Sequence, residues 1–242
     1  MFQTIWDTIL YKPLLNALAF LVSVIPGGDI GIAVIVLTVF VKMALFPLSQ
    51  KSIESQNKMN KLAPHLKNIK ESGASKEEQA KKTFELYKEH KTNPFSGCIL
   101  LLVQIPIIFA LYFVFLKGIK LDSGLLYSFI HVPENVSMMF LGLIDMSKGS
   151  IVLAVLAGIS QFFQAYFMPK PAEQPEQKAG SFQESFGKSM QLQMKYVFPL
   201  VITVIAYRVS GAVALYWIVN NLFTIGQQLY AMKKEKSISV TQ

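Results

Sequence analysis

Residues 95–116 run for 22 positions without one Asp, Glu, Lys or Arg. A helix rises 1.5 Å per residue, so a run of that length covers the roughly 30 Å of a bilayer's hydrocarbon core. Residues 31–48 and 149–168 repeat the pattern, the first with one interruption, Lys42. Residues 196–232 are too long for one span and are broken at Arg208-Val209-Ser210-Gly211. A chain that lives in lipid must satisfy its backbone hydrogen bonds within itself, and helices do so. Composition agrees: 52% of the residues are apolar, 16% are charged, and the charges are gathered into a few segments. The expected fold is an all-α membrane protein, a five-transmembrane-helix bundle with spans at 29–49, 95–116, 149–168, 194–209 and 211–232. The fourth is short for a full crossing, which predicts local thinning of the bilayer or a protein-packed position.

Residues 1–28 admit two readings. The stretch 5–25 has the length of a span, but Asp7, Lys12, Pro13 and Asn16 interrupt it, and an N-terminal interfacial helix lying on the membrane accommodates them better. Residues 1–11 are not basic and no small-residue cleavage site follows, so no signal peptide is expected. The lysines set the orientation. Ten lie between residues 50 and 93, with more in 169–193 and in the 233–242 tail. Five spans place all three segments in the cytoplasm, the N-terminus outside and the C-terminus inside. The net charge of +8 is therefore assigned to membrane topology, and no direct nucleic-acid specificity is expected. A single cysteine, Cys98, excludes an internal disulfide.

Residues 50–94 predict a cytoplasmic helical hairpin. Ile53, Met59, Leu62, Leu66 and Ile69 recur at helical steps, Ser72-Gly73-Ala74 breaks the run, and Ser75 with Glu78 reads as a capping box opening the second arm. Pro64 should bend the first arm, and Asn93-Pro94 ends the second. The hairpin is either a solvated connector or a substrate-catching arm. Residues 117–148 form an apolar extracytoplasmic loop expected to rest on the outer surface. Residues 169–193, rich in Pro, Glu, Gln and Ser, predict a flexible cytoplasmic loop.

Lys42 stands about twelve residues into the first span. A cation at mid-bilayer costs about 2.5–3.5 kcal/mol on insertion scales. Its stem either snorkels to the cytoplasmic head groups, or its ammonium faces a hydrated cavity inside the bundle. Polar residues on the other spans support the cavity. Thr38, Lys42 and Ser49 lie near one face of the first. Gln104 is midway along the second. Ser160, Gln161 and Gln164 mark the third. Trp217, Asn220, Asn221, Thr224, Gln227 and Gln228 form a stripe on the last. Facing lipid, such groups would go unsatisfied. The three histidines are scattered in loops and no metal-ligand spacing or catalytic set appears, so neither cofactor nor enzymatic activity is expected.

Five stretches resemble a known family. They are Val41-Lys42-Met43-Ala44-Leu45-Phe46-Pro47-Leu48, Leu86-Tyr87-Lys88 to Lys91-Thr92-Asn93-Pro94-Phe95-Ser96-Gly97-Cys98, Val103-Gln104-Ile105-Pro106-Ile107, Phe140-Leu141-Gly142-Leu143-Ile144-Asp145, and Ser210-Gly211 through Tyr216-Trp217 and Asn220-Asn221 to Gln227-Gln228. In order along the chain they are similar to the YidC/Oxa/Alb family of membrane protein insertases, its short bacterial YidC members in particular. The resemblance implies a five-span bundle in the bacterial inner membrane. Its groove is open to the cytoplasm and to lipid, and one cation makes it positive. The implied partners are nascent membrane proteins and membrane lipids, with the Sec translocon and the ribosome as further candidates. One departure stands out: the family's intramembrane cation is usually arginine, and here it is Lys42. A transporter binding an anionic group at Lys42, and a structural subunit of a larger complex, are the rival readings; the odd span count and absence of internal repeats disfavour the first.

Overall fold

The computed structural model describes residues 6–90, 92, 96–117, 125–130, 136–168 and 192–240. The predicted flexible loop lies outside them through residue 191, as do Asn93, Pro94 and parts of the 117–148 loop. A π-helical turn at Asp7–Tyr11 leads into α1 (Lys12–Val24). After Pro26–Gly28 come α2 (Ile30–Ala44), α3 (Phe46–Lys61), α4 (Ala63–Glu71) and α5 (Lys76–Glu89). Then follow α6 (Ser96–Lys117), a two-stranded ribbon of β1 (Met139–Phe140) and β2 (Ile144–Asp145), and α7 (Ile151–Phe167). A second π-helical turn at Gln193–Val197 opens α8 (Phe198–Arg208), and α9 (Gly211–Val240) ends the described chain.

Several boundaries differ from the sequence reading. The first apolar helix ends at Ala44, and α3 leaves it at 61°. Pro47 has no N–H to continue the ladder, so the bend falls just before it. The first arm of the hairpin therefore begins at Phe46, inside the stretch assigned to the span. It breaks again at Leu62, two residues before Pro64. Ser75 caps α5 by accepting from the Glu78 amide at 3.2 Å. The basic tail expected after Met232 continues α9 as helix to Val240. The ribbon was read only as loop.

Leu15, Leu18, Ala19 and Val22 of α1 sit at three- and four-residue steps and are buried against the central core, together with Ile30, Val34 and Leu37 of α2, Leu111 and Phe115 of α6, and Ala154 and Ala157 of α7. The reverse faces are apolar and exposed: Val36 and Phe40 on α2, Leu102 and Phe109 on α6, Val152 and Leu156 on α7, Leu200 and Val204 on α8. Large apolar side chains exposed on so many helices fit a lipid surround. By length and hydropathy, one described helix qualifies as a span by itself, Asp7–Val24; the bent pair Ile30–Ala44 and Phe46–Lys61 qualifies together. At Gly158 of α7, a Cβ would collide with the Thr203 hydroxyl of α8. Small residues permit such approach where no hydrophobic force drives helices together.

One end of the bundle is closed by backbone. Ile30 donates to the Ser137 carbonyl at 3.1 Å, and Ser137 donates to that of Gly28 at 2.9 Å. Gly211 donates to the Lys148 carbonyl at 2.8 Å and Ala212 to that of Met146 at 3.1 Å. Asn16 of α1 joins this end, donating to the Leu125 carbonyl and accepting from the Tyr127 amide at 2.7 Å. In the turn after β2, the Ser147 hydroxyl, the Lys148 ammonium and then the Ser147 amide hold the Asp145 carboxyl down at about 2.

Asp29 organises the closure. One carboxylate oxygen caps α2 through the amides of Gly31 and Ile32, at 2.8 and 3.1 Å. The other accepts from the Leu141 amide at 2.8 Å. Leu141 has φ 51° and Gly142 φ 71°, the two central residues of the turn that Leu143 closes by donating to the Phe140 carbonyl at 2.9 Å, and leucine resists that left-handed conformation. Gly31 leaves room for the Phe140 ring, which any Cβ there would strike. Asp29→Ala removes a cap and the restraint on Leu141 together. It should lower stability by about 1–2 kcal/mol, read as an earlier midpoint in denaturant titration of the detergent-solubilised protein. An unchanged midpoint would show that the ribbon holds itself.

Candidate functional site

The polar residues of the last helix do not point one way. Three residues advance 300° around a helix, 60° short of a full turn. Residues 221, 224 and 227 therefore fan across α9 and meet three different neighbours. Asn221, fully buried, donates its amide to the Ser160 hydroxyl at 3.0 Å and to Gln161 Oε1 at 3.2 Å, both on α7. Thr224 accepts from the Lys42 ammonium on α2 at 3.1 Å. Gln227 donates to the Ser49 hydroxyl on α3 at 2.8 Å. Lys42 lies about 18 Å along its helix from Ile30, and Thr224 about 20 Å along α9 from Gly211; the two helices run side by side, so the pair meets at one level.

Lys42 is half-buried. Among the described residues it has no carboxylate partner; its hydrogen bond goes to a neutral hydroxyl. The arm reaches across to α9 and does not extend along its own helix towards the bend after Ala44. Asn220, one turn before Thr224, bonds its neighbour Asn221 at 3.5 Å, and its Oδ1 is buried without a partner. Tyr216, one turn further back, is buried with a hydroxyl that makes no hydrogen bond of ordinary geometry and lies beside the Gln104 side chain. Gln50 Oε1, near the bend into α3, is a third such atom. Buried oxygens without protein partners are groups that water or a polar ligand can satisfy.

Of the residues picked from sequence, Lys42, Thr224, Asn220, Asn221 and Gln161 come together around α9. Gln104 faces it from α6 through Tyr216. Trp217 packs partly against the core. Gln164 is half-buried one turn beyond Ser160. Thr38 is buried, and its hydroxyl is spent on the Val34 carbonyl of its own helix at 2.6 Å. Tyr216 and Gln50 were missed. Tyr216 sits four residues before Asn220, in register with the stripe, and that spacing was the available signal. Among the described residues no cluster of three metal-ligating side chains occurs.

The profile of the family described as "60Kd inner membrane protein" matches residues 20–238. The chain belongs to that family. It is 36% identical over 231 residues to the membrane protein insertase YidC of Fusobacterium nucleatum subsp. nucleatum, covering 93% of this chain and 98% of that one. It is 34% identical to the YidC of Pelobacter propionicus and 33% identical to that of Magnetococcus marinus, over 94% and 95% of this chain but 39% and 36% of theirs. It thus spans nearly all of the first relative and under two-fifths of the other two. Among solved structures, a crystal structure of an active YidC insertase with its first transmembrane domain resolved superposes with a TM-score of 0.54 at 20% identity, covering 91% of this chain and 45% of that one. At that identity the likeness concerns the fold.

The α7–α9 contact can be weighed separately. Ser160 already donates its proton to the Ala157 carbonyl at 2.8 Å, so Ser160→Ala costs little. Asn221→Leu strands Gln161 Oε1 and removes two interhelical bonds. Such bonds average about 0.6 kcal/mol, with a maximum near 1.7. Asn221→Leu should destabilise the bundle by about 1 kcal/mol and Ser160→Ala by less, measured by denaturant titration in detergent. The reverse ranking would place the contact's strength on the serine.

Proposed function

We propose that this membrane protein insertase captures a hydrophilic segment of a nascent membrane protein at Lys42 and releases the segment's apolar neighbour into lipid. The carrying observation is a half-buried ammonium bonded to a neutral hydroxyl, with no carboxylate beside it among the described residues. Such a cation keeps its charge available for an acidic or polar group entering from the cytoplasm. The unpartnered oxygens of Tyr216, Asn220 and Gln50 support a hydrated groove around it. A wet groove shortens the apolar barrier that a polar segment must cross. Burial of the substrate's apolar span in the bilayer supplies the driving force, and no nucleotide is required.

The helices α2, α6, α7, α8 and α9 serve as the five spans. Their exposed apolar faces support this assignment. The backbone-closed end is the outer one, since the lysine-rich hairpin lies at the other. The N-terminus is outside and the C-terminus in the cytoplasm. Although α1 has the length of a span, Asn16 at its middle is bound to residues 125 and 127 of the outer loop, which supports an interfacial position. At the inner ends of α7 and α8, Lys195 lies over the rings of Tyr166 and Tyr196, 5.0 and 5.3 Å from their centroids, as residues at a head-group boundary do.

The test is insertion of a small single-span substrate with an acidic translocated segment, in liposomes holding the purified protein. Lys42→Arg should retain activity. Lys42→Ala should lose about tenfold, the equivalent of roughly 1.4 kcal/mol of capture, and Lys42→Glu more. If Lys42→Glu inserts as well as the parent, electrostatic capture is wrong. Substrate-linked flux of small anions through the same vesicles would favour a transporter.

A further inference from the structure

We infer that Thr224 is the positioning residue that holds the Lys42 ammonium in the groove and keeps it from snorkelling to the cytoplasmic surface. The inference rests on Lys42 being the capturing group and adds what fixes its place. The Thr224 hydroxyl donates its own proton to the Asn220 carbonyl at 2.8 Å. With the proton committed, the oxygen presents only lone pairs to α2, and the Lys42 ammonium takes one at 3.1 Å. Lysine has four rotatable side-chain bonds and a strongly hydrated head. Only Met43 and Ala44 separate it from the bend after Ala44, so without an acceptor its cheapest course is towards water at that end.

The acceptor itself is held from both sides. Three residues before it, Asn221 ties α9 to α7; three residues after it, Gln227 ties α9 to α3. Thr224 therefore neither slides nor rotates freely relative to α2. An ammonium has three protons, and one goes to Thr224. Two are left over, enough to grip a carboxylate. A neutral anchor serves better than a carboxylate would, because it fixes the cation without cancelling its charge.

Thr224→Val keeps the shape and removes the acceptor; Thr224→Ser keeps the acceptor. In the liposome assay with the acidic single-span substrate, Thr224→Val should lose roughly three- to tenfold, the effect of one hydrogen bond to a charged group. Thr224→Ser should stay within about twofold of the parent. In a Lys42→Ala background, Thr224→Val should add no further loss, because a residue acting through the lysine has nothing left to position. A second readout needs no substrate: a membrane-impermeant amine reagent, applied from the cytoplasmic side and located by peptide mass spectrometry, should label Lys42 faster in Thr224→Val than in the parent. Full activity in Thr224→Val, a serine variant as impaired as the valine, losses that multiply with Lys42→Ala, or unchanged labelling of Lys42 would each overturn the inference. Should Lys42→Ala itself insert normally, the capture reading fails, and the labelling result alone decides the position of the lysine.

Discussion

The bundle depends on the way α9 distributes its polar side chains. Lipid offers helices no hydrophobic reason to associate, so something directional must set which faces meet. Here a three-residue repeat of Asn221, Thr224 and Gln227 drifts around the helix and bonds α7, α2 and α3 in turn. One helix thereby fixes the rotation of three others. The cation of the site is one of those three contacts, so the element that holds the fold also holds the charge.

The two ends of the molecule are joined by different means. At the end bearing Asp29, closure is by backbone hydrogen bonds among 28–30, 137–138, 146–148 and 211–212, and by a carboxylate that caps a helix while restraining a left-handed leucine. At the hairpin end, cohesion comes from side-chain contacts such as Gln227 to Ser49 and from a bent continuation of α2. Backbone ladders resist opening more than single amide–hydroxyl contacts do. On the proposed topology, this asymmetry leaves the cytoplasmic side as the one that yields to an entering segment.

How much of this could be read from residues alone varies with the physics involved. Long apolar runs announced the helices, because length and charge depletion are local properties. The polar stripe of α9 was visible for the same reason, since a helical period is written in sequence. Its partners were not. That Asn221 meets Ser160 while Thr224 meets Lys42 depends on the packing of helices far apart in the chain. Thr38 shows the converse failure. It lies on the face of Lys42, yet a threonine can return its proton to its own helix, and spacing does not reveal that choice. The bend after Ala44 was placed too late because hydropathy continues through Phe46 and Leu48, whereas the backbone responds to Pro47. Asn16 looked like an interruption in an apolar helix and proves to be its tether.

The lysine at position 42 suits its acceptor. A guanidinium spreads five donors over a rigid plane and asks for several acceptors at once. The α9 surface beside residue 42 offers one prepared oxygen, that of Thr224, with its own proton already turned away. A point donor matches a point acceptor. A buried carboxylate in Thr224's position would bind the ammonium more strongly, but the pair would be neutral as a whole and an incoming acidic group would have to displace it. On the proposed capture mechanism, a hydroxyl that holds the cation and leaves its field intact meets the condition for binding a segment briefly and letting it go.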